Sequence, residues 1–359
     1  MLSPIQRLRA ACRSPGTLRW LLLLLLALPM ALSAREAGGV GIAPIKVTDP
    51  VNGGQMPGFV FYPSTRPAGG TTPIGPYNVA AAFGASAQPG ARPLVVISHG
   101  HGGSDLGHHD LATWLAGHGF IVATIEHPKD NFHDQSGTGN STVLVGRAVQ
   151  VRAAINTLLA DPRWKPLIDP ARIGVAGFSA GGYTSLLLVG AQPRFDRFID
   201  YCQRHPDDVD TCAPAQKYKP AELVSALAAI QKDLTRWGPT ADPRIKAAFV
   251  MAPLSLVFDK AGAHAINRPV DLWYGENDHV LLPAENALHI KPLIRTLASS
   301  TMVPKADHWV FLAPCSAELA KEAKEICSDP PGVDRNAVHA RLNADALAFF
   351  RRAFGMSTP

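Results

Sequence analysis

An α/β fold is predicted: a mainly parallel sheet with helices on both faces and a cap-like insertion at residues 192–244. Three observations carry this. Short apolar runs ending near Ile97, Ile125, Ala176, Met251, Tyr274 and Val303 alternate with helical stretches at 110–117, 143–160, 181–190 and 336–354. That alternation buries a parallel sheet between helices. The polar candidates Ser179, Asp278 and His308 each follow the end of an apolar run, where open α/β sheets place their sites. Residues 192–244 break the repeat with Cys202, Cys212 and an amphipathic stretch at 221–237, which reads as a cap lying over the site.

The chain opens with two short strands, 40–48 and 58–62, and a Gly/Pro/Ala-rich surface loop at 64–92. The next strand closes in Ser98-His99-Gly100-His101-Gly102-Gly103, a turn whose glycines admit close backbone approach to a ligand. Residues 172–182 then read Arg-Ile-Gly-Val-Ala-Gly-Phe-Ser-Ala-Gly-Gly, a strand that ends in Gly-x-Ser-x-Gly and runs straight into a helix. This is the form of a nucleophile elbow, and it specifies the α/β-hydrolase fold. The sharp turn strains the backbone at Ser179, and small neighbours at Gly177 and Gly181 remove the clashes it would cause.

A serine hydroxyl is a poor nucleophile at neutral pH; a histidine must take its proton and a carboxylate must orient that histidine. In this fold the order is Ser, acid, His. The strand Pro269-Val270-Asp271-Leu272-Trp273-Tyr274 breaks at Gly275 and presents Asp278, and the strand ending at Val303 is followed by a loop carrying His308. The expected catalytic set is therefore Ser179, Asp278 and His308, with Glu276 and Asp307 the nearest competing carboxylates. The oxyanion of a tetrahedral intermediate needs two N–H donors. These are assigned to Ala180 and His101, with Gly102 the second choice. Phe178 and Trp309 are the expected substrate-binding aromatics; Trp273 is a lesser candidate whose default is core packing.

Seven histidines stand at 99, 101, 108, 109, 118, 127 and 133. Neither His-x-His-x-Asp-His nor His-Glu-x-x-His occurs, so no metal is expected and the cluster reads as a substrate-facing rim with solvated helix residues.

Taken in order, Ser-His-Gly-His-Gly-Gly, Gly-Phe-Ser-Ala-Gly-Gly, Gly-Glu-Asn-Asp and Asp-His-Trp-Val-Phe-Leu-Ala-Pro-Cys resemble the bacterial "predicted dienelactone hydrolase" group related to platelet-activating factor acetylhydrolase, as does residues 115–128. The likeness runs from about 40 to 354 and implies a cofactor-free α/β-hydrolase for small or short-acyl esters. One departure concerns the acid, which the animal acetylhydrolases carry after the strand that follows the elbow. That stretch is Ala248-Phe249-Val250-Met251-Ala252-Pro253 here, so the role falls to Asp278 and phospholipid specificity is not carried over. Dienelactone hydrolases proper use cysteine where this chain has Ser179.

Four arginines precede an apolar run at 21–32, which ends in small residues, so residues 1–34 read as a secretory signal peptide and 35–359 as the hydrolase domain. Without the leader the chain holds 30 basic and 29 acidic residues, and the overall +5 is no evidence for nucleic-acid binding. A periplasmic or secreted location is expected, with no membrane span after cleavage and a small-molecule ester as partner. In an oxidising compartment Cys202–Cys212 and Cys315–Cys327 are the expected bridges among three possible pairings. The sequence carries no signature of oligomeric state. The rival readings are a serine peptidase or amidase of the prolyl-oligopeptidase type, for whose extra domain the short opening segment leaves no room, and a non-catalytic binding module, which typically lacks a triad member.

Overall fold

The computed structural model describes residues 39–67, 69–209, 211, 212 and 218–357; the expected signal peptide lies outside them. In chain order the strands are β1 Val40–Thr48, β2 Gln55–Pro63, β3 Thr72–Ile74, β4 Tyr77–Val79, β5 Ala82–Phe83, β6 Arg92–Ser98, β7 Ile121–Ile125, β8 Ile168–Phe178, β9 Ile245–Met251, β10 Val270–Gly275 and β11 Leu297–Val303. Helices of eight residues or more are α1 His109–Gly117, α2 Gly146–Ala160, α3 Ala180–Leu188, α4 Arg197–Arg204, α5 Pro220–Lys232 and α6 Arg335–Ala353.

Nine strands form one sheet in the order β11-β10-β9-β8-β6-β7-β2-β1-β5. The turn after β1 is tight: Asp49 accepts from the Val51 N–H at 2.8 Å, and its own N–H bonds the Gly54 carbonyl at 3.0 Å. Chain reversal there makes β1 and β2 antiparallel, and β2 meets β7 antiparallel as well. From β7 to β11 every neighbouring pair is parallel, because a helix or longer crossover intervenes between successive strands.

Alternation along β6 shows how the two faces are buried. Leu94 and Val96 join one apolar cluster with Val151 and Ile155 of α2 and Leu186 of α3. Val95 and Ile97 join the other with Leu111 and Leu115 of α1 and Leu342 and Phe350 of α6. Successive side chains of a strand point to opposite faces, so a strand covered on both sides is apolar throughout. All five residues of β7 and all six of β10 are buried.

Two features depart from the sequence reading. The stretch 64–92 is not a plain loop: β3 and β4 form a hairpin, and β5 pairs parallel with β1 at the sheet edge. Strands of two or three residues are too short to leave a period-2 pattern, and this edge is held by backbone bonds and by Tyr62 Oη donating to the Ala85 carbonyl at 2.7 Å. The helix expected at 143–160 is interrupted, with one short turn at Ser141–Leu144 before α2 begins at Gly146.

Within 192–244, α4 and α5 dock on the first cluster through Tyr201, Leu227 and Ile230. Gln231 bridges the Phe195 N–H and the Pro193 carbonyl at 3.1 Å each. The segment also meets the loop beyond Asp278: Arg204 and His205 reach Glu285 at 3.0 and 3.1 Å, and Thr211 donates to the Val280 carbonyl at 3.3 Å. Cys202 is bonded to Cys212 and Cys315 to Cys327.

Candidate active site

The turn from β8 into α3 takes place in one residue. Gly177 and Phe178 still pair with Val250 and Met251 of β9, and the Ser179 N–H donates to the Met251 carbonyl at 2.9 Å. Ala180 is already helical, so Ser179 is forced to φ +53°, ψ −115°, which a side chain with a Cβ tolerates only under strain. A methyl group on Gly177 would overlap the Gly181 carbonyl, and one on Gly181 would overlap that of Ser98. The elbow thus packs directly on the end of β6, and a methyl on Gly100 would lie 3.5 Å from Ser179 Cβ.

Asp278 and His308 are brought together from loops after β10 and β11, with 2.7 Å between Asp278 Oδ2 and His308 Nδ1. The other oxygen, Oδ1, accepts from the Val280 and Leu281 N–H groups at 3.0 and 2.8 Å. Each carboxylate oxygen has its own task, one to hold the loop and one to hold the imidazole. The competing carboxylates are occupied elsewhere. Glu276 accepts from the Lys305 N–H at 2.8 Å, and Asp307 caps the turn that begins with His308, accepting from the Trp309 N–H at 3.1 Å.

Phe178 is 2% exposed, and its ring lies 4.6 Å from that of His308 and 5.6 Å from that of His108. It therefore supports the imidazole from below instead of lining an open acyl pocket, as residues just before a buried elbow are turned toward the core. Trp309 is half-buried, edge-on to His308 at 5.2 Å. Trp273 is core, packed near Phe249 with Arg341 over its ring.

In the turn after β6 the Gly103 N–H closes onto the Gly100 carbonyl at 3.1 Å. Among the described residues no backbone acceptor engages the His101 or Ala180 N–H. Ala180 heads α3, where first-turn N–H groups lack intrahelical partners and the helix dipole favours negative charge.

The histidine cluster is only in part the solvated rim expected from sequence: His101 and His133 are exposed, while three members lie in the core. His99, His108 and His127 are all at most 2% exposed. Burial, aided by the Arg147 charge, pushes His99 down to about 3. Burial likewise takes His108 to about 4 and His127 well below the ordinary imidazole value, so all three are neutral. His99 accepts from the His127 N–H at 3.0 Å, and His127 meets Gln150 at 2.8 Å. A neutral ring offers one donor and one acceptor, and these bonds use both kinds. Sequence reasoning also passed over Arg147 and Asp130, which are buried beneath this turn. One signal was available: Arg147 and Gln150 lie three apart on the stripe of α2 that also carries Val151 and Ala154.

Residues 72–138 match the family model of platelet-activating factor acetylhydrolase, isoform II. That segment holds β6, the glycine-rich turn and the loop after β7, and it stops before Ser179. No curated protein matches the chain. Among many similar solved structures is a ferulic acid esterase from Streptomyces cinnamoneus, 19% identical over 89% of this chain and 92% of that chain, with a TM-score of 0.59. The sheet order and this likeness make the fold that of an α/β-hydrolase.

Proposed function

We propose that this chain, an α/β-hydrolase similar to the platelet-activating factor acetylhydrolases, is an exported serine esterase that cleaves small or short-acyl carboxylic esters through an acyl-enzyme. The observation that carries the reading is the buried Asp278–His308 pair beside an elbow that holds Ser179 at φ +53°. Ser179 Oγ attacks the ester carbonyl while His308 Nε2 takes its proton. Asp278 keeps the Nδ1–H toward itself, so that Nε2 carries the lone pair, and it stabilises the imidazolium that forms. The negative charge on the former carbonyl oxygen is received by the N–H groups of Ala180 and His101. Collapse breaks the C–O bond to the alcohol, which leaves with the proton from His308. Water, deprotonated by the same histidine, then releases the acid and restores Ser179.

Trp309, edge-on to His308, is the aromatic we assign to border the acyl group. The insertion at 192–244 contributes through its contacts to Val280 and Glu285, in the loop that leads away from Asp278. Two disulfides support export, since such bonds persist in oxidising compartments. Among the described residues no helix is long and apolar enough to cross a membrane.

The test is hydrolysis of p-nitrophenyl esters from acetyl to palmitoyl, and of a hydroxycinnamate ester, by the wild type and Ser179→Ala, with fluorophosphonate labelling. Turnover and labelling that depend on Ser179 and fall off beyond short acyl chains are expected. Retention on long chains would replace the short-acyl assignment with a lipase-like cleft. Preference for the hydroxycinnamate would move the substrate class to esters of aromatic acids. Absence of both turnover and labelling would overturn the enzymatic reading.

A further inference from the structure

A buried cation–carboxylate pair lies directly under the turn that carries the His101 N–H. Arg147 of α2 is 2% exposed, and its guanidinium reaches three acceptors at once. Nη1 donates to Asp130 Oδ2 at 2.6 Å, while Nη2 donates to Ser98 Oγ at 3.0 Å and to the His99 carbonyl. The second oxygen of Asp130, Oδ1, binds Nδ1 of His101, whose imidazole is 44% exposed. Ser98 Oγ meets His127 Nε2 at 2.9 Å, so its proton is directed away from Arg147. The loop bearing Asp130 is itself tied to the turn: the Phe132 N–H donates to the Gly103 carbonyl at 3.0 Å, and Gly103 and Asn131 form a parallel bridge.

We propose that Arg147 and Asp130 are positioning residues for the oxyanion turn, holding the 99–101 backbone so that the His101 N–H points at the carbonyl attacked by Ser179. This rests on the esterase reading above. The pair grips the turn at two points, the His99 carbonyl from below and the His101 side chain from the front, leaving the peptide plane between them little freedom. Burying two charges is costly, and apolar residues of similar volume would stabilise the fold as well or better. Catalysis gives the ion pair a use that such packing lacks: donors aimed in advance at a developing charge need no reorganisation during the reaction. A planar guanidinium suits the task because its fork addresses several fixed acceptors, which the point charge of a lysine does not.

The test compares wild type, His101→Ala, Asp130→Asn and Arg147→Lys on an oxygen ester and its thionoester, with thermal melts to establish folding. His101→Ala removes a half-exposed side chain and should fold. Expected are kcat values on the oxygen ester about 10- to 100-fold lower with KM within about threefold, the scale of a displaced oxyanion donor. A hole shaped for oxygen discriminates strongly against sulfur, so the oxygen-to-sulfur rate ratio should fall by about tenfold in the same variants. A purely structural role would lower the melting temperature without moving that ratio. Arg147→Lys keeps the charge and should lie between Asp130→Asn and wild type. Folded His101→Ala and Asp130→Asn proteins with the wild-type kcat and ratio would overturn the proposal. Amide hydrogen exchange at residues 100–103 reads it without catalysis: faster local exchange in Asp130→Asn supports it, and unchanged exchange refutes it. Activity surviving Ser179→Ala would sink the esterase reading and leave that exchange result standing on its own.

Discussion

His308 and Asp278 stand 30 residues apart in the chain and meet at 2.7 Å, with side chains only 1% and 2% exposed. Water cannot compete for that bond, so the imidazole is held in one tautomer and one orientation. The two backbone N–H groups on Asp278 Oδ1 keep the carboxylate from turning away. A His–Asp pair needs such support, because an unpaired charge this deeply buried would cost several kcal/mol.

Replacing the acid tests the pair directly. Asp278→Asn should lower kcat by about three to four orders of magnitude, since an amide favours the wrong tautomer of His308. Glu276→Gln, on a carboxylate that only accepts from the exposed Lys305 N–H, should stay within about threefold of wild type. Steady-state kinetics on a p-nitrophenyl ester distinguishes the two, and the reverse ranking would assign the acid to Glu276.

The elbow stores strain that a substitution can release. Ser179→Gly should abolish turnover yet raise stability by about 1 kcal/mol or more, because glycine adopts a positive φ without a Cβ penalty. Calorimetry reads this as a higher melting temperature; a lower one would mean that Ser179 contributes packing that outweighs its strain.

Acid should destabilise the fold well before its surface carboxylates titrate. His99, His108 and His127 stay neutral when folded, with His99 near 3 and His108 near 4 against an ordinary value of 6.5. Between pH 7 and 5 the unfolded chain takes up protons that these rings refuse, which costs about 2 kcal/mol for each. Asp105 and Asp271, raised by burial to about 6, take up protons when folded and offset about 1 kcal/mol each over the same window. His339, raised overall because Asp110 outweighs its burial, contributes stability that is lost as pH rises above 6.5. Denaturant midpoints should therefore fall from pH 7 to 5. A flat or rising midpoint would show that these histidines are not held neutral.

The Cys315–Cys327 bridge closes a short loop just beyond the turn that carries His308. Arg335 completes the tether, bonding the Ile326 carbonyl at 2.9 Å and Asp329 at 2.8 Å. Cys315→Ser with Cys327→Ser should cost about 3 kcal/mol and lower kcat more than KM, since the loop holding the base loosens. A double variant with the wild-type melting temperature would mean that the ion pair and packing suffice.

The fold and the candidate site were legible because each is written locally. Gly-x-Ser-x-Gly between an apolar run and a helix permits essentially one backbone path at Ser179, and apolar runs alternating with helices leave a parallel sheet as the way to bury them. The order of Ser179, Asp278 and His308 followed from that topology. What the tertiary structure alone decided is direction and burial. Phe178 reads as a pocket residue until the elbow turns its ring beneath His308. His99, His108 and His127 read as part of a polar rim until crossovers cover them, and burial then holds each ring neutral. Arg147 and Asp130 belong to different elements, 17 residues apart, and nothing local pairs them. Only the packing of α2 against the end of β6 removes water from both, and an ion deprived of water must find its counter-charge within reach.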